Sequence, residues 1–145
     1  MILSSREIVR RLGEKSQDGS LVIRPYSAEC QQPASYDLRI ADNTDLIPGT
    51  CTLAYSLEWV ELPADLAATL RTRSSYGRKG VLITAGFVDP GFRGQLTLGL
   101  VLMGAEPLVL RKHDRIVQMI IHQVTAAERT YEGKYQDSIG AIGTR

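Results

Sequence analysis

The chain has 145 residues, with 17 Lys and Arg against 16 Asp and Glu and a formal net charge of +1 at pH 7. This length predicts one domain, residues 1–145, whose core needs no disulfide, and the balanced charge is unlike that of a general nucleic-acid-binding protein. No apolar stretch approaches the ~20 residues that span a bilayer, and the opening MILSSREIVRRLG is too charged for a signal peptide, so we expect a cytoplasmic protein without membrane or nucleic-acid partners.

The first predicted element is a helix close to the N-terminus. Ser4 and Glu7 have the spacing of a capping box, the apolar residues of IVRRL fall on one face, and Gly13 can end the helix. A shorter helical turn is predicted after Pro63, in PADLAATL.

The rest of the chain has the pattern of strands. Residues 50–60 and 94–103 carry apolar side chains at every second position, which is typical of half-buried strands. Five further runs are short, rich in branched or aromatic residues and bounded by turn residues: LVIRP, SYDLRI, GVLITAGFV, PLVLR and RIVQMIIHQV. This spacing predicts an all-β jelly roll. From about Thr130 the sequence is polar and without period, so we expect a flexible C-terminal tail.

A basic segment, residues 71–79, carries four cations and two adjacent serines. Arginine binds phosphate oxygens bidentately, and serine hydroxyls add short donors. The segment therefore suits a polyphosphate, and its candidate ligands are Arg73, Ser74, Ser75 and Arg78. A solvated basic loop is an equally good interpretation of the composition, and the chain has no Walker-type GxxxxGK[ST] loop.

One carboxylate, Asp89, stands where an apolar strand enters a Pro-Gly turn, in AGFVDPGFRG. The turn would hold this side chain rigidly, and a fixed carboxylate beside a phosphate site can orient or deprotonate water. Taken alone, Asp before Pro-Gly is more often an ordinary turn residue.

Gln118 is a polar side chain in the apolar row of RIVQMII, and it bonds either to a neighbouring strand or to a ligand. Asp37 is similarly ambiguous.

Six segments, taken together, resemble the motifs of the dUTPase and dCTP deaminase superfamily over nearly the whole chain. The matches are residues 2–8 to xLSDxEI, 33–40 to PASYDLRL, 73–78 to RSSxxR, 85–94 to aGxIDxxYxG, 113–119 to GDRIxQL and 134–140 to KYxxxxG. Members of this superfamily are distorted jelly rolls that form homotrimers with nucleotide sites between subunits. The resemblance therefore implies a dUTPase-like distorted jelly roll with a short N-terminal helix, in a homotrimer.

The resemblance also implies roles for individual residues. Asp89 would hold the attacking water and the sugar 3′-hydroxyl, and Phe92 would pack under the deoxyribose. Mg²⁺, the implied cofactor, would be chelated by the triphosphate and reached by Asp37 only through water, as suits a hard cation. The residues implied to contact the nucleotide are Arg73, Ser74, Ser75, Arg78, Gly86, Phe92, Thr97, Leu98, Gly99, Gln118, Tyr131 and Lys134. Within that set, residues 97–99 would bind the uracil edge through backbone groups.

One position separates the two chemistries of the superfamily. The deaminase branch has a glutamate, in a pattern like TLE, that shuttles protons at the cytosine ring, whereas this chain has Gly99 in TLG. Glycine cannot activate water, and the H-x-E and P-C-x-x-C signature of zinc deaminases is absent. The tail resembles the deaminase tail, although Ser138 stands where that branch usually has Gln. We therefore expect a dUTP diphosphatase; the alternatives are a dCTP deaminase, a bifunctional enzyme, or a deoxynucleotide-binding regulator without turnover.

Overall fold

Strands dominate the computed structural model, which describes residues 1–125 and 128–144. In chain order the elements are α1 (Ser5–Leu12), β1 (Val22–Arg24), β2 (Gln31–Gln32), β3 (Ser35–Arg39), β4 (Thr44–Leu46), β5 (Cys51–Glu61), β6 (Leu66–Thr72), α2 (Ser74–Gly77), β7 (Val81–Ile83), β8 (Phe87–Val88), β9 (Arg93–Leu102), β10 (Leu108–Leu110) and β11 (Arg115–Gln123), with a 3₁₀ turn at Ala28–Cys30. This confirms the predicted all-β class and the N-terminal helix. None of the helices in the described part of the chain is long and apolar enough to cross a membrane.

Two larger sheets enclose the core. One has the strand order β1-β5-β9-β7 and the other β2-β3-β11-β6-β8, while β10 and β4 form a two-stranded sheet. All the strand pairs of these sheets are antiparallel. Fully buried side chains from both larger sheets and from α1 meet between them, among them Ile8, Leu38, Leu98, Leu100 and Ile116. This layered arrangement leaves one face of each sheet outside the core.

The two long alternating strands bury different kinds of side chain. In β9 the predicted apolar row is buried, with Leu98 and Leu100 fully inside. In β5 the apolar row of Leu53 and Trp59 lies on the outer, partly exposed face, and the buried side carries Ser56 and Glu58 between Ala54 and Val60. A register shift between Tyr55 and Trp59 marks an irregularity in this strand. The period therefore predicts the strand but not which face is buried.

Two short predictions along the chain differ from the structure. The turn after Pro63 is only two residues long, and the following residues belong to β6. The tail does not extend freely: Ser138 forms a parallel bridge with Gly94, and its carbonyl accepts the Gln95 N–H at 2.8 Å. Because these hydrogen bonds join residues more than 40 positions apart, the local composition of the tail carries no sign of them.

Candidate functional site

A cavity of about 430 Å³ opens between β9, the segment that precedes it and the C-terminal tail. Its walls are mixed polar and apolar, as is typical of small-molecule sites. The lining residues are Leu53, Thr84, Ala85, Phe87, Val88, Asp89, Phe92, Gln95, Leu96, Thr97, Gly99, Tyr131, Tyr135, Ser138, Ile142 and Thr144. Four residues implied by sequence to bind nucleotide, and the implied catalytic Asp89, thus share one cavity.

Asp89 lies at the start of a tight turn that leads into β9. The Phe92 N–H donates to the Asp89 carbonyl at 3.2 Å, and the Gly91 N–H donates to the Leu62 carbonyl at 2.9 Å. Gly91 has a φ of +82°, and a Cβ there would come within 2.5 Å of the Thr130 Cβ, so glycine is needed both for the backbone conformation and for space. The carboxylate itself is exposed beside the cavity. A fixed backbone with an exposed carboxylate is the arrangement expected of a group that orients water.

The aromatic pair Phe92 and Tyr131 forms the wall next to Asp89. Phe92 is only 8% exposed, and its ring centroid lies 5.6 Å from that of Tyr131 in an edge-on arrangement. The tail thus covers most of the ring that the sequence places under a deoxyribose. Tyr131 also lines the cavity, so both rings contribute apolar surface to the same wall.

The edge of β9 is the floor of the cavity. Along this edge of β9, residues 100–102 pair with β7, and Gly94 forms a bridge with the tail. Among the described residues, Thr97 lies between these two paired stretches. The Thr97 hydroxyl accepts the Ile142 N–H at 3.0 Å. Leu98 points into the core and is fully buried, which leaves only its backbone for binding. A planar base with donor and acceptor atoms can pair with such a strand edge.

Gly99 faces the neighbouring Thr84 at close range. The Thr84 N–H donates to the Gly99 carbonyl at 2.9 Å, and a Cβ added at Gly99 would lie 2.3 Å from the Thr84 hydroxyl oxygen. The threonine hydroxyl therefore occupies the space into which any side chain at position 99 would project. Thr84 is a lining residue that the sequence interpretation missed, because only the β7–β9 pairing brings the two together.

The predicted phosphate ligands collect at another part of the second sheet. Arg73 follows β6 directly, and its backbone N–H donates to the Ile116 carbonyl at 2.9 Å. Gln118 is in register with Asp37 on one side and with Arg71 on the other, so these three side chains share the outer face of the sheet. Ser74 and Ser75 begin α2, a single exposed turn that ends next to Arg78. This part of the chain therefore offers several cationic and hydroxyl donors together.

Asp37 is a fully buried carboxylate in the middle of this basic cluster. The Arg73 Nε lies 2.9 Å from its Oδ2 and the Arg115 guanidinium 3.9 Å away, yet neither carboxylate oxygen accepts a hydrogen bond from the described residues. Burial raises the pKa of Asp37, and the positive charges of Arg73 and then Arg115 oppose that rise. Asp37 is therefore held by ion pairs with two arginines rather than by hydrogen bonds of good geometry.

The two groups of candidate residues are far apart within one chain. Val88 pairs with Ala68, so Asp89 lies beyond one end of β6, whereas Arg73 follows the opposite end. At a rise of roughly 3.3 Å per residue their backbones are about 20 Å apart along the strand. The structure therefore separates Asp89 from the cationic cluster that the sequence expected beside it.

Two remaining candidates lie outside the cavity. The Gly86 carbonyl accepts the Leu70 N–H at 2.7 Å on the β6 side, and the exposed Lys134 places its ammonium 5.3 Å from the Tyr135 ring centroid. Among the described residues no group of three or more His, Cys, Asp or Glu could hold a metal ion. A resident metal cage made of side chains alone is therefore not part of this region of the chain.

Comparison with known proteins agrees with the motifs. A family model described as dCTP deaminase-like matches residues 41–124. A dCTP deaminase, dUMP-forming, from Methanopyrus kandleri is 36% identical over 92% of this chain and 90% of its own length. Among solved structures, the 2′-deoxycytidine 5′-triphosphate deaminase from Agrobacterium tumefaciens superposes with a TM-score of 0.69 at 20% identity, covering 86% of this chain and 48% of its own. The EIAV dUTPase superposes with a TM-score of 0.64 at 18% identity, covering 80% and 98%. These two structural matches support the fold.

Proposed function

Because the chain belongs to the dCTP deaminase-like family, we propose that it is a dUTP diphosphatase, which converts dUTP and water to dUMP and pyrophosphate. One observation carries the proposal: Asp89 is the only carboxylate among the described residues that line the cavity, and it lies in the turn beside Phe92, the residue that the family motifs imply packs under the sugar. A carboxylate in that place favours a water directed at phosphorus over one directed at the pyrimidine ring.

The base end of the cavity supports hydrolysis over deamination. Attack on C4 of cytosine requires a group that takes a proton from water and delivers it to the ring. At the part of β9 proposed to bind the base, Gly99 has no side chain, and the Thr84 hydroxyl occupies the space beside it. A threonine hydroxyl is too weak a base for this role near neutral pH. Restoring a carboxylate at position 99 would also require the Thr84 side chain to rotate away.

The proposed hydrolysis needs a positioned water and stabilised phosphate charge. Asp89 accepts a hydrogen bond from the water and takes its proton as the oxygen attacks the α-phosphorus. The bond between the α-phosphorus and the bridging oxygen breaks, and pyrophosphate leaves with the electron pair. Arg73, Ser74 and Ser75 stabilise the charge that develops on the departing phosphates. The Asp89 proton then passes to solvent, which regenerates the carboxylate.

We propose that two copies of the chain form each site. Within one chain the backbones of Asp89 and Arg73 lie about 20 Å apart, which favours a site to which a second subunit brings its own basic cluster. The outer surface around the cavity supports self-association, since Leu53 is 47%, Leu82 51% and Phe87 63% exposed. Apolar side chains grouped in this way are typical of subunit interfaces. A homotrimer, as the family motifs imply, would give three such sites.

Mg²⁺ is proposed to enter with the triphosphate. Asp37 provides buried carboxylate oxygens without hydrogen bonds, which are suitable donors for a hard cation. Arg73 and Arg115 already lie 2.9 and 3.9 Å from it, so direct coordination would place the metal against two positive charges. A contact between Asp37 and Mg²⁺ through a water molecule fits these residues better than direct coordination. When bound, the ion would neutralise part of the phosphate charge.

The second candidate is a bifunctional enzyme that forms dUMP from dCTP. Its support is the name of the Methanopyrus kandleri relative, a dCTP deaminase, dUMP-forming, at 36% identity. In this chain such an activity would need a proton shuttle other than residue 99. Ammonia release from dCTP is the observation that would establish it.

The test is a parallel assay of the pure protein with dUTP, dCTP and dTTP in the presence of Mg²⁺, following pyrophosphate and ammonia separately. We expect pyrophosphate from dUTP and no ammonia from dCTP. Asp89→Asn should lower kcat for dUTP by about 10²–10⁴-fold while nucleotide affinity is kept, because only the group that orients water is altered. No pyrophosphate at micromolar protein would refute the proposal, and tight nucleotide binding without product would instead indicate a regulator.

A further inference from the structure

The turn that carries Asp89 is held from two sides. On the core side the Gly91 N–H donates to the Leu62 carbonyl, and the Leu62 N–H donates to the Phe92 carbonyl, each at 2.9 Å. On the other side lies the C-terminal tail, whose Tyr131 N–H donates to the Pro90 carbonyl at 2.7 Å. The tail is thus part of the support of this turn and not only a cover over the cavity.

The side-chain amide of Gln136 makes the central link between tail and turn. Its Nε2 donates to the Gly91 carbonyl at 2.8 Å, and its Oε1 accepts the Arg93 N–H at 2.9 Å. Both ends of one half-buried amide are therefore bonded to the backbone on either side of Phe92. The same Nε2 is 3.4 Å from the Tyr131 carbonyl, which ties the start of the tail to the same point.

The neighbouring ion pair contributes less. Arg93 and Asp137 are joined side chain to side chain, but these groups are 53% and 50% exposed, and exposed ion pairs add little to stability because solvent screens them. A hydrogen bond in a half-buried position is less screened, and an amide that makes two of them keeps a defined orientation. Gln136 does not line the cavity, so its effect on a nucleotide must pass through the turn.

We propose that Gln136 is a positioning residue that couples the docking of the tail to the orientation of Asp89. This inference rests on the proposed function, since Asp89 must hold the attacking water. When the tail is docked, the Gln136 amide holds the backbone at Gly91 and Arg93, and with it the turn from which the Asp89 carboxylate projects. When the tail is displaced, the turn keeps only its core-side hydrogen bonds, and the carboxylate loses its alignment with the α-phosphorus.

The experiment compares three variants by steady-state kinetics on dUTP and by backbone amide hydrogen exchange. Gln136→Ala removes both hydrogen bonds, Gln136→Glu keeps the acceptor for the Arg93 N–H but has no donor for the Gly91 carbonyl, and Gln17→Ala is a matched control in the exposed segment after α1. We expect Gln136→Ala to lower kcat by about 10- to 100-fold, with a much smaller change in KM, because a misplacement near 1 Å can cost about 100-fold. Gln136→Glu should lie between Gln136→Ala and the unaltered protein.

Hydrogen exchange reports on the turn without turnover. The Arg93 amide should exchange faster in Gln136→Ala but stay protected in Gln136→Glu, and Gln17→Ala should match the unaltered protein in both measurements. Two outcomes would overturn the positioning role of Gln136 but leave the proposed function intact. One is an active Gln136→Ala protein in which the Arg93 amide exchanges at an unchanged rate. The other is a loss of kcat in Gln136→Ala no larger than that in Gln17→Ala. Absence of dUTP hydrolysis by the unaltered protein would overturn the proposed function and, with it, any part of Gln136 in turnover.

Discussion

Among the described residues two carboxylates, Asp37 and Glu58, are completely buried, and each has an arginine beside it, yet their surroundings differ. Glu58 accepts hydrogen bonds from Arg39 at both oxygens, from the side-chain Nε at 2.7 Å and from the backbone N–H at 3.0 Å. Asp37 has the Arg73 Nε at 2.9 Å, but neither of its oxygens accepts a hydrogen bond from the described residues. The first pair is internally satisfied and the second is not.

We interpret the Arg39–Glu58 pair as structural and propose that the Arg73–Asp37 pair is functional. Arg39 also donates to the Pro25 carbonyl at 2.7 Å, so its guanidinium links β3, β5 and the loop after β1. Arg73 stands at the start of α2 beside the two serines; its side chain is 27% exposed, and its Nη1 also donates to the Arg115 carbonyl at 3.1 Å. A fold retains a costly, unsatisfied buried carboxylate where a ligand uses the site. We therefore expect the Glu58 pair to govern stability and the Asp37 pair to govern activity.

The largest expected effect follows from breaking the satisfied pair. Arg39→Met leaves the Glu58 carboxylate buried without its partner, and we expect a loss of about 3–5 kcal/mol in the free energy of unfolding. Urea denaturation of the variant and of the double variant Arg39→Met/Glu58→Leu measures this. The double variant should recover most of the loss, because no buried charge remains. A single variant as stable as the unaltered protein would show that the pair is not structural.

A smaller change in stability, but a clear loss of activity, is expected from Arg73→Met. Arg115 remains 3.9 Å from Asp37, so this carboxylate keeps a nearby positive charge after the substitution. We expect kcat/KM for dUTP to fall by about 100-fold, as when one donor to a developing charge is removed, with less destabilisation than Arg39→Met. Arg6→Met, at an exposed position of α1, is the control, and equal activity in both variants would contradict the assignment.

The smallest effect is a pH dependence of stability. Because burial raises the pKa of Asp37 above its usual 3.8, the folded state binds this proton more tightly than the unfolded state. The contribution to stability is therefore complete below about pH 3.8 and is lost as the pH rises through the folded pKa. Asp37→Asn should lack this loss, so its free energy of unfolding relative to the unaltered protein should increase with pH over that range. If the free energy of unfolding changed with pH in parallel for the two proteins, this contribution of Asp37 would be excluded.

Much of the fold followed from local patterns, and the exceptions have physical causes. The alternation in β9 and the capping residues of α1 predicted real elements, since side-chain period and end capping act within a few residues. The reversed face of β5 arose because Glu58 is buried by its ion pair with Arg39, a residue 19 positions away. The docked tail arose from hydrogen bonds to the β9 region, such as that of Gln136 with Gly91. Neither contact has a local signature.

By itself the sequence determined the strand-rich class, the helix at the N-terminus and the residue types for the chemistry: an aspartate before a Pro-Gly turn, an arginine with two serines, and a glycine at position 99. Only the tertiary structure decided which of them meet. The antiparallel pairing of β6 with β8 places Asp89 and Arg73 at opposite ends of one strand although they are 16 positions apart, and the β7–β9 pairing brings Thr84 against Gly99. Residue chemistry is a local property, whereas the distance between side chains depends on strand pairing across the whole chain.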